Sequence, residues 1–159
     1  MLTLGIDPGT ATIGYGFVRE LNDGSLQAVA YGVITTKPKL PMWERLQIIY
    51  DELTTLIHQY QPERAAVEEL FFARNVTTAI TVAQGRGVIM LALAKAHLPI
   101  AEYKPNEVKQ SMTGYGGADK AQMQEMVRLL LGLNEIPHPD DAADALAVAI
   151  TDLHSMRYI

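Results

Sequence analysis

The chain has 159 residues, 48% of them hydrophobic, with 13 Lys and Arg against 18 Asp and Glu and a net charge of −5. This length and composition exclude a disordered chain and predict one domain, residues 1–159, with its own core. Cysteine is absent, which excludes disulfides and thiolate metal sites, and no uninterrupted apolar run approaches the ~18 residues of a membrane span; together with the lack of a basic, then apolar leader, this predicts a cytoplasmic protein.

In chain order, residues 2–7, 12–20 and 26–36 read as strands separated by turn signals at Pro8-Gly9 and Asn22-Asp23-Gly24. Such short links predict two antiparallel pairings. Asp7 ends the first strand, where an acid within an apolar run is costly to bury unless it has a partner, although Asp-Pro-Gly also makes a good turn. Pro38 and Pro41 break the pattern. A helix follows from Met42, with Trp43, Leu46, Ile49, Tyr50, Leu53, Leu56, Ile57 and Tyr60 on one apolar stripe. Residues 64–72 form an apolar run carrying Glu68 and Glu69, and its place after a helix predicts a strand parallel to the first.

Residues 75–97 read as a long helix that is apolar or small nearly all round, which predicts burial on several sides. Gly85 and Gly87 would let another backbone come close, and part of the helix is a candidate contact with a second copy of the chain. A short strand at 98–103 and a short helix at 104–112, with Pro105 in its first turn, come next. A loop with Gly114, Gly116 and Gly117 precedes a helix that Asp119 and Gln122 open with a capping box. Pro137 and Pro139 introduce the last helix, from Asp140 to about Leu153. The order β-β-β-α-β-α-β-α-α-α predicts a mixed sheet of five strands flanked by helices, an order similar to that of the ribonuclease-H-like fold.

The acids are placed so that they can meet. Asp7 ends the first strand and Glu68 lies late in the fourth, which should be its neighbour. Strand alternation puts Glu68 and Glu69 on opposite faces, so at most one of them joins Asp7. On the last helix Asp144 lies four residues after Asp140 and three after Asp141, on a shared face. A helix N-terminus favours acids, which explains Asp140 and Asp141 but not Asp144 in the second turn. Carboxylates crowded together raise one another's pKa unless cations hold them. Oxygen ligands without thiolates point to magnesium or manganese. Two such ions about 3.5–4 Å apart suit phosphodiester hydrolysis. Their four positive charges would take the net charge from −5 to −1, so the acidic total does not oppose a nucleic-acid substrate.

Five segments in one order, Gly5-Ile-Asp7-Pro-Gly9-Thr with Gly14-Tyr-Gly16, Val67-Glu68-Glu69-Leu-Phe71-Phe72, Gln84-Gly-Arg86-Gly87, Val108-Lys109-Gln110 and Asp141-Ala-Ala-Asp144-Ala-Leu-Ala, make the chain resemble the RuvC-type Holliday junction resolvases of bacteria over its whole length. The resemblance implies a homodimeric, magnesium-dependent endonuclease that resolves four-way DNA junctions, in recombination and repair, by nicking two opposed strands. It implies Asp7, Glu68, Asp141 and Asp144 as the catalytic and metal-binding acids, choosing Asp141 over Asp140. It also implies Lys109 and Lys120 as phosphate contacts, Phe71 as an aromatic that stacks on bases, and a branch-migration helicase complex as partner. Arg74 is a further candidate DNA contact, and the 75–97 helix is the candidate dimer interface. Members of the family often carry a basic tail, whereas this sequence ends at Met156-Arg-Tyr-Ile159; with few Lys and Arg, weaker non-specific DNA binding is expected.

His58, His97, His138 and His154 have no zinc-site spacing, and His138, closest to the acids, is a candidate proton carrier. Two rival readings are weaker. Gly-Ile-Asp-Pro-Gly-Thr is similar to the phosphate loop of the actin, sugar-kinase and Hsp70 ATPases, but those need two lobes and two loops. A module that binds branched DNA without cutting it would have no use for four acids.

Overall fold

The computed structural model describes residues 1–69 and 76–159. Strands β1 (Leu2–Asp7), β2 (Thr12–Glu20) and β3 (Leu26–Thr35) are followed by α1 (Met42–Tyr60), β4 (Arg64–Glu68), α2 (Val76–Lys95), β5 (Ile100–Tyr103), α3 (Pro105–Thr113), α4 (Lys120–Leu130) and α5 (Asp140–Met156). The five strands form one mixed sheet in the order β3-β2-β1-β4-β5. β1 runs antiparallel to β2, and β2 to β3, while β4 lies parallel to β1 and β5 parallel to β4. The predicted sheet and its two hairpins are therefore present.

Side-chain alternation divides the core into two layers. Leu2, Leu4 and Ile6 of β1, Ile13 and Phe17 of β2, and Ala65 and Val67 of β4 pack with Ile49 and Leu53 of α1 and with Ile89 and Leu93 of α2. On the other face Ala66 and Val18 pack with Val108 and Met112 of α3, Val127 of α4, and Leu146, Ile150 and Leu153 of α5. Asp7 continues the series Thr3, Gly5 on β1, and Glu68 continues from Ala66 on β4. Both acids thus project to the α5 face.

Helix α5 lies almost against the sheet backbone. A Cβ built on Gly5 would be 2.1 Å from the Ala145 carbonyl oxygen, and one built on Gly14 would be 1.9 Å from that of Asp141. Glycine on the strands, with the alanine-rich face of the helix, is what permits this approach. Farther along, Arg64 of β4 makes two hydrogen bonds to the fully buried carboxylate of Asp152, one of them from Nη2 at 2.9 Å, and the Tyr103 hydroxyl donates to the same group at 2.9 Å. This pair of opposite charges ties α5 to the two strands it crosses.

Two expectations need correction. Trp43 was placed on the α1 stripe but is 74% exposed. It stands in the first turn of α1, ahead of the turns that bury Ile49, Leu53 and Ile57. β4 ends at Glu68 rather than running to residue 72, with residues 70–75 outside the described part. Of the two α2 glycines, Gly85 meets the Gly9 carbonyl oxygen, 2.5 Å from an added Cβ, as expected of a close backbone approach, while Gly87 has nothing of its own chain within 4 Å.

By length and composition α2 is apolar enough to cross a bilayer. Its seating in the core through Ile89 and Leu93, and its mid-helix Arg86 paired with Glu102, are those of a helix packed on a sheet.

Candidate active site

The site lies where the C-terminal ends of β1 and β4 meet the N-terminus of α5. Register places Ile6 beside Val67, so that Asp7 and Glu68 leave neighbouring strands together. Gly14 is the partner of Asp7 on β2, and its missing side chain admits the first turn of α5. Carboxylate oxygens of Asp7, Asp141 and Asp144 all lie within 4.8 Å of one another, a spacing that can hold a metal ion. Glu68 joins at the edge of this trio, hydrogen-bonded to Asp7 and close enough to Asp144 for their charges to interact.

The electrostatics match this crowding. Burial above all, then the charges of Glu68, Asp144 and Asp141, pushes the Asp7 carboxyl up to about 9. Burial and Asp144 push Glu68 up to about 7, against the opposing effect of the Asp7 hydrogen bond and the Lys109 charge. Asp144 is raised by burial and its acidic neighbours, partly offset by Lys120. Without cations the cluster can be relieved only by taking up protons; divalent ions would neutralise it instead.

Asp140 and Asp141 behave differently. Asp140 turns outward to an exposed ion pair with Lys120 at 2.7 Å and accepts a hydrogen bond from Gln124 at 3.1 Å, which holds its carboxyl below the usual range. Asp141 turns inward to hydrogen-bond Asp7. Glu69 keeps its backbone bonded to Tyr103, its N–H donating to that carbonyl at 2.7 Å, and stands outside the carboxylate group.

Two of the acids, Glu68 and Asp144, line a cleft of about 250 Å³ together with Lys109, Asp119 and Lys120. Both predicted phosphate-contact lysines therefore line the same cleft as Glu68 and Asp144. Lys120 is carried at the start of α4, where Asp119 accepts from the Gln122 N–H and Gln122 accepts from the Asp119 N–H, the predicted capping box. His138 is exposed beside Asp140. Phe71 and Arg74 lie outside the described residues. A larger cavity of about 770 Å³, bordered by Ser111, His154 and Arg157, shares no residue with the carboxylates. The smaller cleft is the candidate site because two acids of the titratable cluster line it.

Comparison with known proteins follows the geometry. The family model described as Crossover junction endodeoxyribonuclease RuvC matches residues 3–152. The chain belongs to the RuvC family. It is 62% identical over 157 residues to the crossover junction endodeoxyribonuclease RuvC of Roseiflexus sp. (strain RS-1), covering 99% of this chain and 93% of that protein. It is 60% identical over 150 residues to that of Chloroflexus aurantiacus (strain ATCC 29366 / DSM 635 / J-10-fl), covering 94% and 91%. Among solved structures it resembles Thermus thermophilus RuvC with a TM-score of 0.93 at 37% identity, over 99% of this chain and 96% of that one. A structure of T. thermophilus RuvC in complex with Holliday junction substrate matches at 0.91 and 34%, with the same coverage. The yeast mitochondrial Holliday junction resolvase Ydc2, at 14% identity and TM-score 0.71, shares the fold. The predicted ribonuclease-H-like order is thus that of the RuvC fold.

Proposed function

We propose that the chain is a metal-dependent endonuclease that resolves four-way DNA junctions by paired nicking of opposed strands. The observation that carries this reading is the convergence of Asp7, Glu68, Asp141 and Asp144, from two strands and a helix, in a chain of the RuvC family. The relatives named above are crossover junction endodeoxyribonucleases, and one is solved with a Holliday junction.

The donor set suits hard divalent cations: all are carboxylate oxygens, and the chain has no cysteine. We assign the four acids as ligands for magnesium, two ions per site, with manganese as substitute. Bound there, the ions would supply charge neutralisation and an activated water for attack on phosphorus. The protein's own part is to hold the acids in place before substrate arrives and to present cations to the DNA backbone. Lys109 and Lys120 line the cleft and suit phosphate contacts. Lys120 would exchange its exposed pairing with Asp140 for a phosphate, a small loss since ion pairs in solvent are weak. Phe71 as a stacking aromatic and Arg74 as a phosphate contact complete the proposed DNA face; stacking of this kind is worth about 1–3 kcal/mol per base.

Paired nicking of a two-fold substrate favours a two-fold dimer. The α2 helix supplies a candidate surface: Val76, Ile80 and Leu91 are large, apolar and more than half exposed, and Gln84 and half-buried Val88 lie on the same side as Ile80 and Leu91. A branch-migration helicase complex is the partner proposed to deliver the junction. Incubation of a labelled four-way junction with and without magnesium tests the activity: paired nicks only with metal support it, and a stable complex that never cuts would leave a binding module.

A further inference from the structure

The segment Gln84-Gly-Arg86-Gly87 has no part in the site described so far, yet its arginine reaches the main chain of one of the four acids. Arg86 lies mid-way along α2, on the sheet face opposite α5. Its Nη1 donates to the carbonyl oxygen of Glu68 at 2.6 Å, and its Nη2 donates to Glu102 Oε1 on β5 at 2.7 Å. The ladder between β1 and β4 closes at Ile6 and Val67, so Glu68, the last residue of β4, is held by the sheet from the β5 side alone, where it pairs with Tyr103 and the Glu69 N–H donates to the Tyr103 carbonyl. A carboxylate there inherits whatever freedom its peptide has. A guanidinium anchored on the neighbouring strand and bonded to that carbonyl adds a second hold to the one the Glu69 N–H makes with Tyr103, and its planar fork can serve both acceptors at once. The same helix seats the turn after Asp7: Gly85 abuts the Gly9 carbonyl, and the Thr10 hydroxyl donates to the Thr81 carbonyl at 2.7 Å. Both strand ends that carry acids are therefore fastened to α2 from behind.

We infer that Arg86 is a positioning residue, which fixes the Glu68 main chain so that its carboxylate stands beside Asp7 ready for a cation. The inference rests on the proposed role of Glu68 as a metal ligand. Groups that orient a ligand typically contribute about 10–100-fold to metal affinity or activity.

The test compares Arg86→Gln, Arg86→Lys, Glu102→Gln and Glu68→Gln with the parent by unfolding midpoint, junction affinity without metal, manganese binding followed by electron paramagnetic resonance, and single-turnover cleavage against magnesium concentration. Arg86→Gln is expected to bind the junction normally, to bind manganese about tenfold more weakly, and to need about tenfold more magnesium for half-maximal cleavage. Arg86→Lys, with one donor head for two acceptors, should fall between, and Glu102→Gln should shift the same way by less. If Arg86→Gln folds poorly, those two variants carry the same comparison. Parental manganese affinity and magnesium dependence in the folded variants, with or without a lower midpoint, would overturn the inference. Glu68→Gln separates the two levels: if it binds metal and cuts like the parent, the reading of the site fails; if it loses both while the Arg86 variants are parental, only the role of Arg86 fails.

Discussion

Replacing Gly14 by alanine tests whether the carboxylates owe their convergence to direct backbone contact between β2 and α5. The added Cβ would stand 1.9 Å from the Asp141 carbonyl oxygen, where ordinary contact begins at 3.4 Å, so the helix end would have to retreat by about 1.5 Å, the difference of the two. The obstacle is main chain on both sides, and no rotamer relieves it. Overpacking of this sort costs about 1–3 kcal/mol, which lowers the unfolding midpoint by about 2–12 °C in a chain of this size. Asp141 and Asp144 would move with the helix, and a misplacement of about 1 Å can cost about 100-fold in rate. Calorimetry and single-turnover cleavage of a preformed junction, with junction affinity as control, read these effects separately. The expected result is a lower midpoint and about 100-fold slower cleavage at near-normal affinity. A parental midpoint and rate would refute the reasoning that glycine here sets the site.

The same substitution at Gly87, inside α2 with nothing within 4 Å, should instead stabilise the protein by about 0.5–1 kcal/mol, as denaturant titration would show. Arg64→Met strands the buried Asp152 carboxylate and should cost about 3–5 kcal/mol, read as a lower midpoint at pH 7; an unchanged midpoint would mean the pair adds nothing. Because Asp7 and Glu68 are raised in the metal-free fold, their protonation favours the folded state. That contribution is fullest below about pH 4 and is lost as pH rises through about 7 and about 9, so the metal-free midpoint should fall from pH 5 to pH 9. Magnesium should flatten the fall, and a metal-free midpoint that rises over this range would contradict the clustered geometry. Ile80→Glu, a charge on the exposed stripe of α2, should give folded monomers in sedimentation that nick a junction once at most.

Much of this was readable from residue types and spacing, because strand alternation is a strict code. Asp7 and Glu68 each follow small residues on one face of an apolar strand, which aims them at whatever covers that face. Spacing could not choose between Asp140 and Asp141, since both share a helical face with Asp144. The choice depends on how α5 seats on the sheet: Asp141 abuts Gly14 of β2, while Asp140 turns outward to Lys120 of a different helix. The roles of Arg64, Arg86 and Asp152 were equally hidden. Arg64 and Asp152 are 88 residues apart and meet only after the sheet has formed, and Arg86 acts on a carbonyl, which no side-chain pattern reports. Trp43 went astray because a stripe counted by apolar type alone extends past the turn at which the helix leaves its neighbours.

The most direct test of a single four-carboxylate metal site is the pair of measurements, junction affinity and single-turnover cleavage, on Asp7→Asn over a range of magnesium concentrations. Asp7 touches both Glu68 and Asp141, so its loss removes a ligand from the middle of the cluster while lowering the repulsion toward phosphate. The expected result is no cleavage at any magnesium concentration, with the junction bound at least as tightly as by the parent. Cleavage by Asp7→Asn at the parental rate would contradict the assignment of the site.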